Sequence, residues 1–179
     1  TEKVMSGKVD NLFLHYSKKF PQAPSDKKIS TISGNLCFRD FSLKVIDETP
    51  WLEHLNGNAR FENRDITVTD LTGTFGNSLI AQTAFTISES TGLNFSGDFK
   101  LDLSEMNNLI HLNKIPPDIL RELEVLQSMN GKALLALKAS GPLNNLGALA
   151  FEGKLMLIDA DIDYRNFCKP AKKVNGTFQ

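Results

Sequence analysis

The chain has 179 residues, 41% hydrophobic and 23% charged, enough for one domain that needs neither disulfides nor metal for bulk. Twenty Lys and Arg stand against 21 Asp and Glu, a formal net charge of -1, which excludes a global basic field for nucleic-acid binding and an acidic disordered tail. The longest apolar runs, such as Ala133-Leu134-Leu135-Ala136-Leu137, are too short to cross a bilayer, and two cysteines are too few for a disulfide scaffold or a zinc cluster.

In chain order, residues 1–29 read as a leading strand and then a polar loop, Phe20 to Lys28, with Pro21, Pro24 and Lys27-Lys28. Period-two alternation follows in Leu36 and Phe38, then Phe41, Leu43 and Val45, around Asp40. Ala59 and Phe61 give way to Ile66 and Val68 across Asn63-Arg64-Asp65, a turn tripeptide. Leu79, Ala81, Thr83, Phe85 and Ile87 predict another strand. The clearest alternation sets Leu93, Phe95, Gly97, Phe99, Leu101 and Leu103 on one face and Asn94, Ser96, Asp98, Lys100 and Asp102 on the other. Ser104 suits the cap of a short turn from Glu105 to Leu112.

After Pro116-Pro117-Asp118, Ile119, Leu120, Leu123 and Leu126 fall at helical spacing, with Asn130-Gly131 just beyond. This predicts one amphipathic helix near residues 117–128, either packed on the sheet or plugging a groove. A last strand runs through Leu155, Leu157, Ala160, Ile162 and Tyr164, around Asp159, and Lys169-Pro170-Ala171-Lys172-Lys173 reads as a solvated loop. Short turns and the lack of crossover helices imply antiparallel pairing.

Eight of the twelve glycines open the same pattern of glycine, polar residue, apolar residue, as in Gly34-Asn35-Leu36, Gly57-Asn58-Ala59 and Gly153-Lys154-Leu155. A glycine inside a strand costs about 0.5–1 kcal/mol relative to alanine, so its repeated use points to bends, bulges or sheet coiling. Shifting the sequence by 119 residues lays Gly34 on Gly153, Leu36 on Leu155, Asp40 on Asp159, Leu43 on Ile162, Val45 on Tyr164, and Asn56-Gly57 on Asn175-Gly176. The expected organisation is therefore residues 1–29 as the lead-in, 30–152 as one β-rich unit of about 119 residues, and 153–179 as the opening of the next. Thr1 to Val4 carries neither an initiator Met nor an apolar leader, and Gly176 to Gln179 stops within a strand-like pattern, so the sequence reads as an excerpt of a longer polypeptide.

Glycine-led strands joined by short turns, the interrupting helix, and the resumption at Asn130-Gly131-Lys132, Ser140-Gly141-Pro142 and Phe151-Glu152-Gly153-Lys154-Leu155 resemble the AsmA-like superfamily of bacterial envelope proteins, of the YhdP and TamB type. The resemblance covers about residues 30 to 179. It implies a mainly β fold with one inserted helix, a coiled antiparallel meander forming an open groove. It also implies a periplasmic location in a protein anchored to the inner membrane by a segment outside this chain. The implied partners are phospholipid, the two membranes through flanking segments, and envelope proteins, with no nucleic acid.

The residues themselves fit a lane for acyl chains: Leu36, Phe38, Phe41, Leu43, Val45, Phe95, Phe99, Leu101, Leu103, Leu155, Leu157, Ile162 and Tyr164. Such a lane works by non-directional contact and needs no catalytic group. The competing readings are the closed core of a sandwich or barrel and an assembly module for outer-membrane biogenesis without lipid cargo. His15, His54 and His111 lack metal-ligand spacing, and Asp159, Asp161 and Asp163 alternate with apolar residues as on an ordinary solvated face. No nucleophile elbow, phosphate loop or dinucleotide fingerprint is present, so neither an enzyme nor a cofactor is expected. Cys37 and Cys168 fall at unmatched positions of the repeat and are expected as free thiols.

Overall fold

The computed structural model describes residues 6–19, 29–44, 51–110, 126–165 and 169–179. They form one antiparallel sheet of nine strands whose order in space is their order in the chain. The strands are β1 (Ser6–Lys19), β2 (Ile29–Leu43), β3 (Leu52–Glu62), β4 (Asp65–Phe75), β5 (Ser78–Ser88), β6 (Gly92–Asp102), β7 (Leu126–Gly141), β8 (Ala150–Tyr164) and β9 (Ala171–Phe178). One helix, α1 (Leu103–Ile110), follows β6, and a single 3-10 turn, Leu146–Ala148, precedes β8. Among the described residues β1 and β9 are free edges, so the sheet is open and not closed into a barrel, as the resemblance implied.

Tight turns set the register. Asn63-Arg64 joins β3 to β4 with Glu62 opposite Asp65, and Gly76-Asn77 joins β4 to β5 with Phe75 opposite Ser78. Asn63 and Gly76 take left-handed backbone at φ 57° and 56°, a conformation that Asn and Gly accept at low cost. A shift of one residue in such a turn would send every side chain of the hairpin to the wrong face.

No second layer covers the sheet among the described residues, and no large side chain is fully buried. A compact chain of 19.9 kDa would expose about 8,700 Å² by the surface–mass relation, whereas this one exposes 12641 Å². The apolar side chains bury one another along the sheet instead of meeting an opposing layer.

Three expectations are corrected. Residues 126–128 of the expected helix open β7, and its preceding turns, with Ile119, Leu120 and Leu123, lie outside the described residues, as do the Phe20–Lys28 loop, Val45, His111 and Cys168. The described helix instead occupies residues 103–110, where only a short turn was expected. Asp102, not Ser104, caps it: its carboxylate accepts the Ser104 N–H at 3.0 Å and the Ser104 hydroxyl. The hydroxyl bond, ahead of the backbone bonds from Ser104 and Glu105, holds the Asp102 carboxyl below its usual value. Finally, Ala171-Lys172-Lys173 is the start of β9 and not a loop, because Val174 and Gly176 alternate onward from it against β8.

A line of bulges crosses one end of the sheet. Asp40 in β2, His54 in β3, Asp70 in β4, Asp159 in β8 and Lys173 in β9 all have positive φ, from 47° to 55°, beside register shifts. Gly7 in β1 and Gly131 in β7 do the same with φ of 154° and 105°. Each bulge adds right-handed twist to the strand that carries it.

The bulged hairpins repeat. Leu36–Ala59, Phe38–Gly57, Phe41–Leu55 and Leu43–Leu52 pair across β2 and β3, and their counterparts 119 residues on, Leu155–Phe178, Leu157–Gly176, Ala160–Val174 and Ile162–Ala171, pair across β8 and β9. Asn56 Oδ1 accepts the Asp40 N–H at 3.1 Å, and Asn175 Oδ1 accepts the Asp159 N–H at 3.0 Å. The amides of the same two asparagines donate to the carbonyls of His54 and Lys173, at 2.6 and 3.2 Å. One Asp–Asn clamp therefore holds the left-handed residues in both hairpins. β7 stands to β8 as β1 stands to β2: Lys8 faces Arg39 and Lys132 faces Ile158, where 158 is 39 plus 119 and 132 is 8 plus 124. The structural period is six strands.

Equivalent glycines differ in tolerance. A Cβ at Gly34 would lie 2.4 Å from the Phe13 carbonyl oxygen and 2.5 Å from Phe61 Cζ, while at Gly153 the nearest atom, the Ala136 carbonyl oxygen, is 3.6 Å away. Gly34→Ala is expected to lower unfolding free energy in urea by about 1–3 kcal/mol, and Gly153→Ala to leave it unchanged or raise it by up to about 1 kcal/mol.

Candidate functional site

Directly opposed residues in an antiparallel ladder point to the same side, so the registers trace rows of side chains across the sheet. One row runs Leu12, Leu36, Ala59, Val68, Phe85, Phe95, Ala139, Phe151, through eight strands without a polar residue. A neighbouring row runs Ile80, Phe99, Leu135, Leu155, Phe178, and another Leu101, Ala133, Leu157, Gly176. Together they make one apolar face from β1 to β9. The opposite face carries Phe13, Asn35, Arg60, Thr67, Thr86, Asn94, Ser140 and Ala150 in its corresponding row, six of the eight polar.

The described lane residues read from sequence fall on this apolar face, apart from Leu103. Leu36, Phe38, Phe41, Leu43, Phe95, Phe99, Leu101, Leu155 and Tyr164 are half-buried, as on a face that neighbours cover only from the sides. Phe95 and Phe99 stack at 6.2 Å between ring centres, and Phe38 meets Phe41 edge-on at 6.0 Å. Gly57 allows this close packing, since a Cβ there would come within 2.9 Å of the Phe38 ring.

Leu103, Leu157 and Ile162 are placed differently. Leu103 begins α1 instead of ending β6, and it is buried with Ala133, Leu157, Ala160 and Ile162, with Leu101, Met129 and Val174 around them. The Glu105 carboxylate accepts the Asn77 N–H at 2.8 Å and the Ser78 hydroxyl at 3.3 Å, which ties the first turn of α1 to the β4–β5 turn. The start of α1 therefore covers the apolar face near the bulge line. Leu103, Leu157 and Ile162 belong to that small core, not to the open lane.

Several lane residues escaped the sequence reading. Val68, Phe85, Leu135, Ala139 and Phe151 complete the rows. In β7 the run of five apolar residues hid the alternation: Leu135 and Leu137 face the lane, while Leu134 and Ala136 sit in rows with Lys100 and Asp98. Lys132 and Lys138, an even number of residues from Leu134 and Ala136, were the available signal. In β5 a shift between Ile80 and Gln82 puts Ile80 on the lane at 7% exposure and turns Leu79 to the polar side at 39%, correcting the expected alternation from Leu79.

The polar groups are local braces. His54 Nδ1 and Asp40 Oδ1 lie 2.7 Å apart at the surface of the bulge line. The Asp159 and Asp161 carboxylates accept hydrogen bonds from the Asn175 side-chain amide at 3.1 Å and the Lys173 N–H at 2.9 Å. Among the described residues, no three His, Cys, Asp or Glu side chains converge as a metal site. Cys37 is a half-buried free thiol in β2. An open depression of about 720 Å³ crosses β4 to β8, lined by Phe85, Phe95 and Phe151 of the lane row and by more residues of the opposite face, among them Thr67, Thr86, Lys138, Ser140 and Glu152.

A buried hydroxyl also lies on this face. Thr83, in line with Gly97 and Leu137, is 3% exposed, and its Oγ1 has no hydrogen-bond partner among the described residues. Removing a buried unpaired hydroxyl while keeping its shape recovers its desolvation cost, so Thr83→Val is expected to raise unfolding free energy in urea by about 1–2 kcal/mol.

No family model matches the chain, and neither does any curated protein or solved structure.

Proposed function

We propose that this sheet is an apolar lane along which phospholipid acyl chains move, in a periplasmic segment of an AsmA-like envelope protein that links the inner and outer membranes. The observation that supports the reading most is the row of eight apolar side chains, Leu12 to Phe151, across eight strands with no second layer over it among the described residues. Strands lie about 4.8 Å apart, so seven steps span about 33 Å. That is about twice one leaflet of a hydrocarbon core about 30 Å thick. One acyl chain fits along the row with room to advance.

The energetics suit a carrier without chemistry. A two-chain lipid holds on the order of 30 methylenes, and each costs about 0.8 kcal/mol to keep in water. An open face takes up that apolar surface while the headgroup stays hydrated beyond the rim, so no polar group has to be desolvated. Aliphatic and Phe side chains bind by non-directional contact, which allows movement between equivalent positions.

The test is the lipid content of protein purified without detergent, read by native mass spectrometry and extraction. Wild-type chain is expected to carry phospholipid, and Phe85→Asp combined with Phe95→Asp to reduce the load at least tenfold with the circular dichroism spectrum unchanged. Asn94→Asp, on the opposite face of the same strand, is expected to keep the load. A lipid-free, folded wild-type chain contradicts the proposal. So does unfolding of the double variant, which would make those side chains a closed core.

A further inference from the structure

β9 repeats β3 in register, and β3 has a partner on its far side that β9 lacks. β4 pairs with β3 through Leu52–Phe75, Glu53–Thr74, Asn56–Thr72, Asn58–Thr69 and Ala59–Val68. Advanced by 119 residues, the β3 members of those pairs are Ala171, Lys172, Asn175, Thr177 and Phe178. The β2-facing side of β3 and the β8-facing side of β9 already agree pair for pair, including the left-handed residues His54 and Lys173 at φ 52° and 51° and the asparagine that clamps each. The backbone of β9 is thus set in the conformation that β4 requires of β3.

We propose that the outer edge of β9 is a docking edge for a β4-type strand supplied by a further copy of the six-strand unit. The incoming strand is antiparallel and extended, with apolar residues where β4 has Val68, Leu71 and Phe75, hydroxyls where it has Thr69 and Thr74, and a left-handed residue in the place of Asp70.

Exposure supports this occupant. Phe178 closes the lane row that runs through Leu135 and Leu155, and at the edge of the described sheet it is 57% exposed. The other edge of the described sheet is bare in the same way: Val9 in β1 faces Phe38 as Ala133 faces Leu157, and Val9 is 52% exposed. Lysines at an edge commonly discourage pairing. Here Lys172 and Lys173 stand at the bulge, where β3 carries Glu53 and His54 and still pairs with β4 through Glu53–Thr74. The inference rests on register and not on the lipid reading.

A full chain followed directly by a second copy of residues 61–102 tests it, because Gln179 is the repeat equivalent of Arg60 and the added segment continues β9 without a linker. In a Cys37→Ser, Cys168→Ser background, Lys172→Cys is expected to form a disulfide with Thr74→Cys of the added copy at least tenfold more than with Thr69→Cys. Amide hydrogen exchange along β9 is expected to slow at least tenfold relative to the unextended chain. An added segment that stays unprotected while β1 to β9 remain folded overturns the proposal, as does crosslinking without preference for Thr74→Cys. Protection of β9 in the unextended chain that rises with its own concentration also overturns it, since two copies would then be pairing through that edge.

Discussion

An antiparallel sheet with one apolar and one polar face must cover the apolar face or leave it in water, and this constraint organises the structure. The usual solutions are a second sheet or a layer of helices. Here neither is present among the described residues, and cover is gathered within the sheet. Long side chains lean on one another along rows, Phe rings lie over glycines of neighbouring strands, and α1 seats Leu103 over one end. What remains is half-covered, and that is the property an acyl chain can use.

The bulge line makes the half-cover possible. A flat sheet would spread its side chains, whereas twist at the bulges brings them closer. The left-handed residues are Asp, His and Lys as well as Gly, a conformation that is costly for side chains with a Cβ and persists where the surroundings fix it. At Asp40 and at Asp159 an asparagine sixteen residues on supplies that fixation through its own side chain. The recurrence of the clamp ties the bulge to the repeat, at β2–β3 and again at β8–β9.

Much of the fold was legible because one-sided alternation is a strong signal: the lane faces of β2, β6 and β8 follow from Leu36 and Phe38, from Phe95 and Phe99, and from Leu155. The repeat was legible too, since Asp40, Asn56 and Gly57 recur as Asp159, Asn175 and Gly176 for a structural reason. What failed has specific causes. A bulge displaces the period by one residue, which promoted Leu79 over Ile80. A continuous apolar run in β7 carried no period, and the helical spacing leading into Leu126 extended the expected helix into a strand. Leu103 obeys the strand pattern of β6 yet begins α1, because Asp102 caps a helix at that point. Whether a second layer lies over the face is a tertiary fact that alternation alone does not encode.

The central claim is that an acyl chain lies against the apolar face and not against its reverse. It is tested most directly by quenching of a single tryptophan by phospholipid brominated on its acyl chains. In a Trp51→Phe background, tryptophan at Phe85→Trp is predicted to be strongly quenched and tryptophan at Asn94→Trp to be unaffected. Equal quenching at the two positions, or none at Phe85→Trp, would contradict the account.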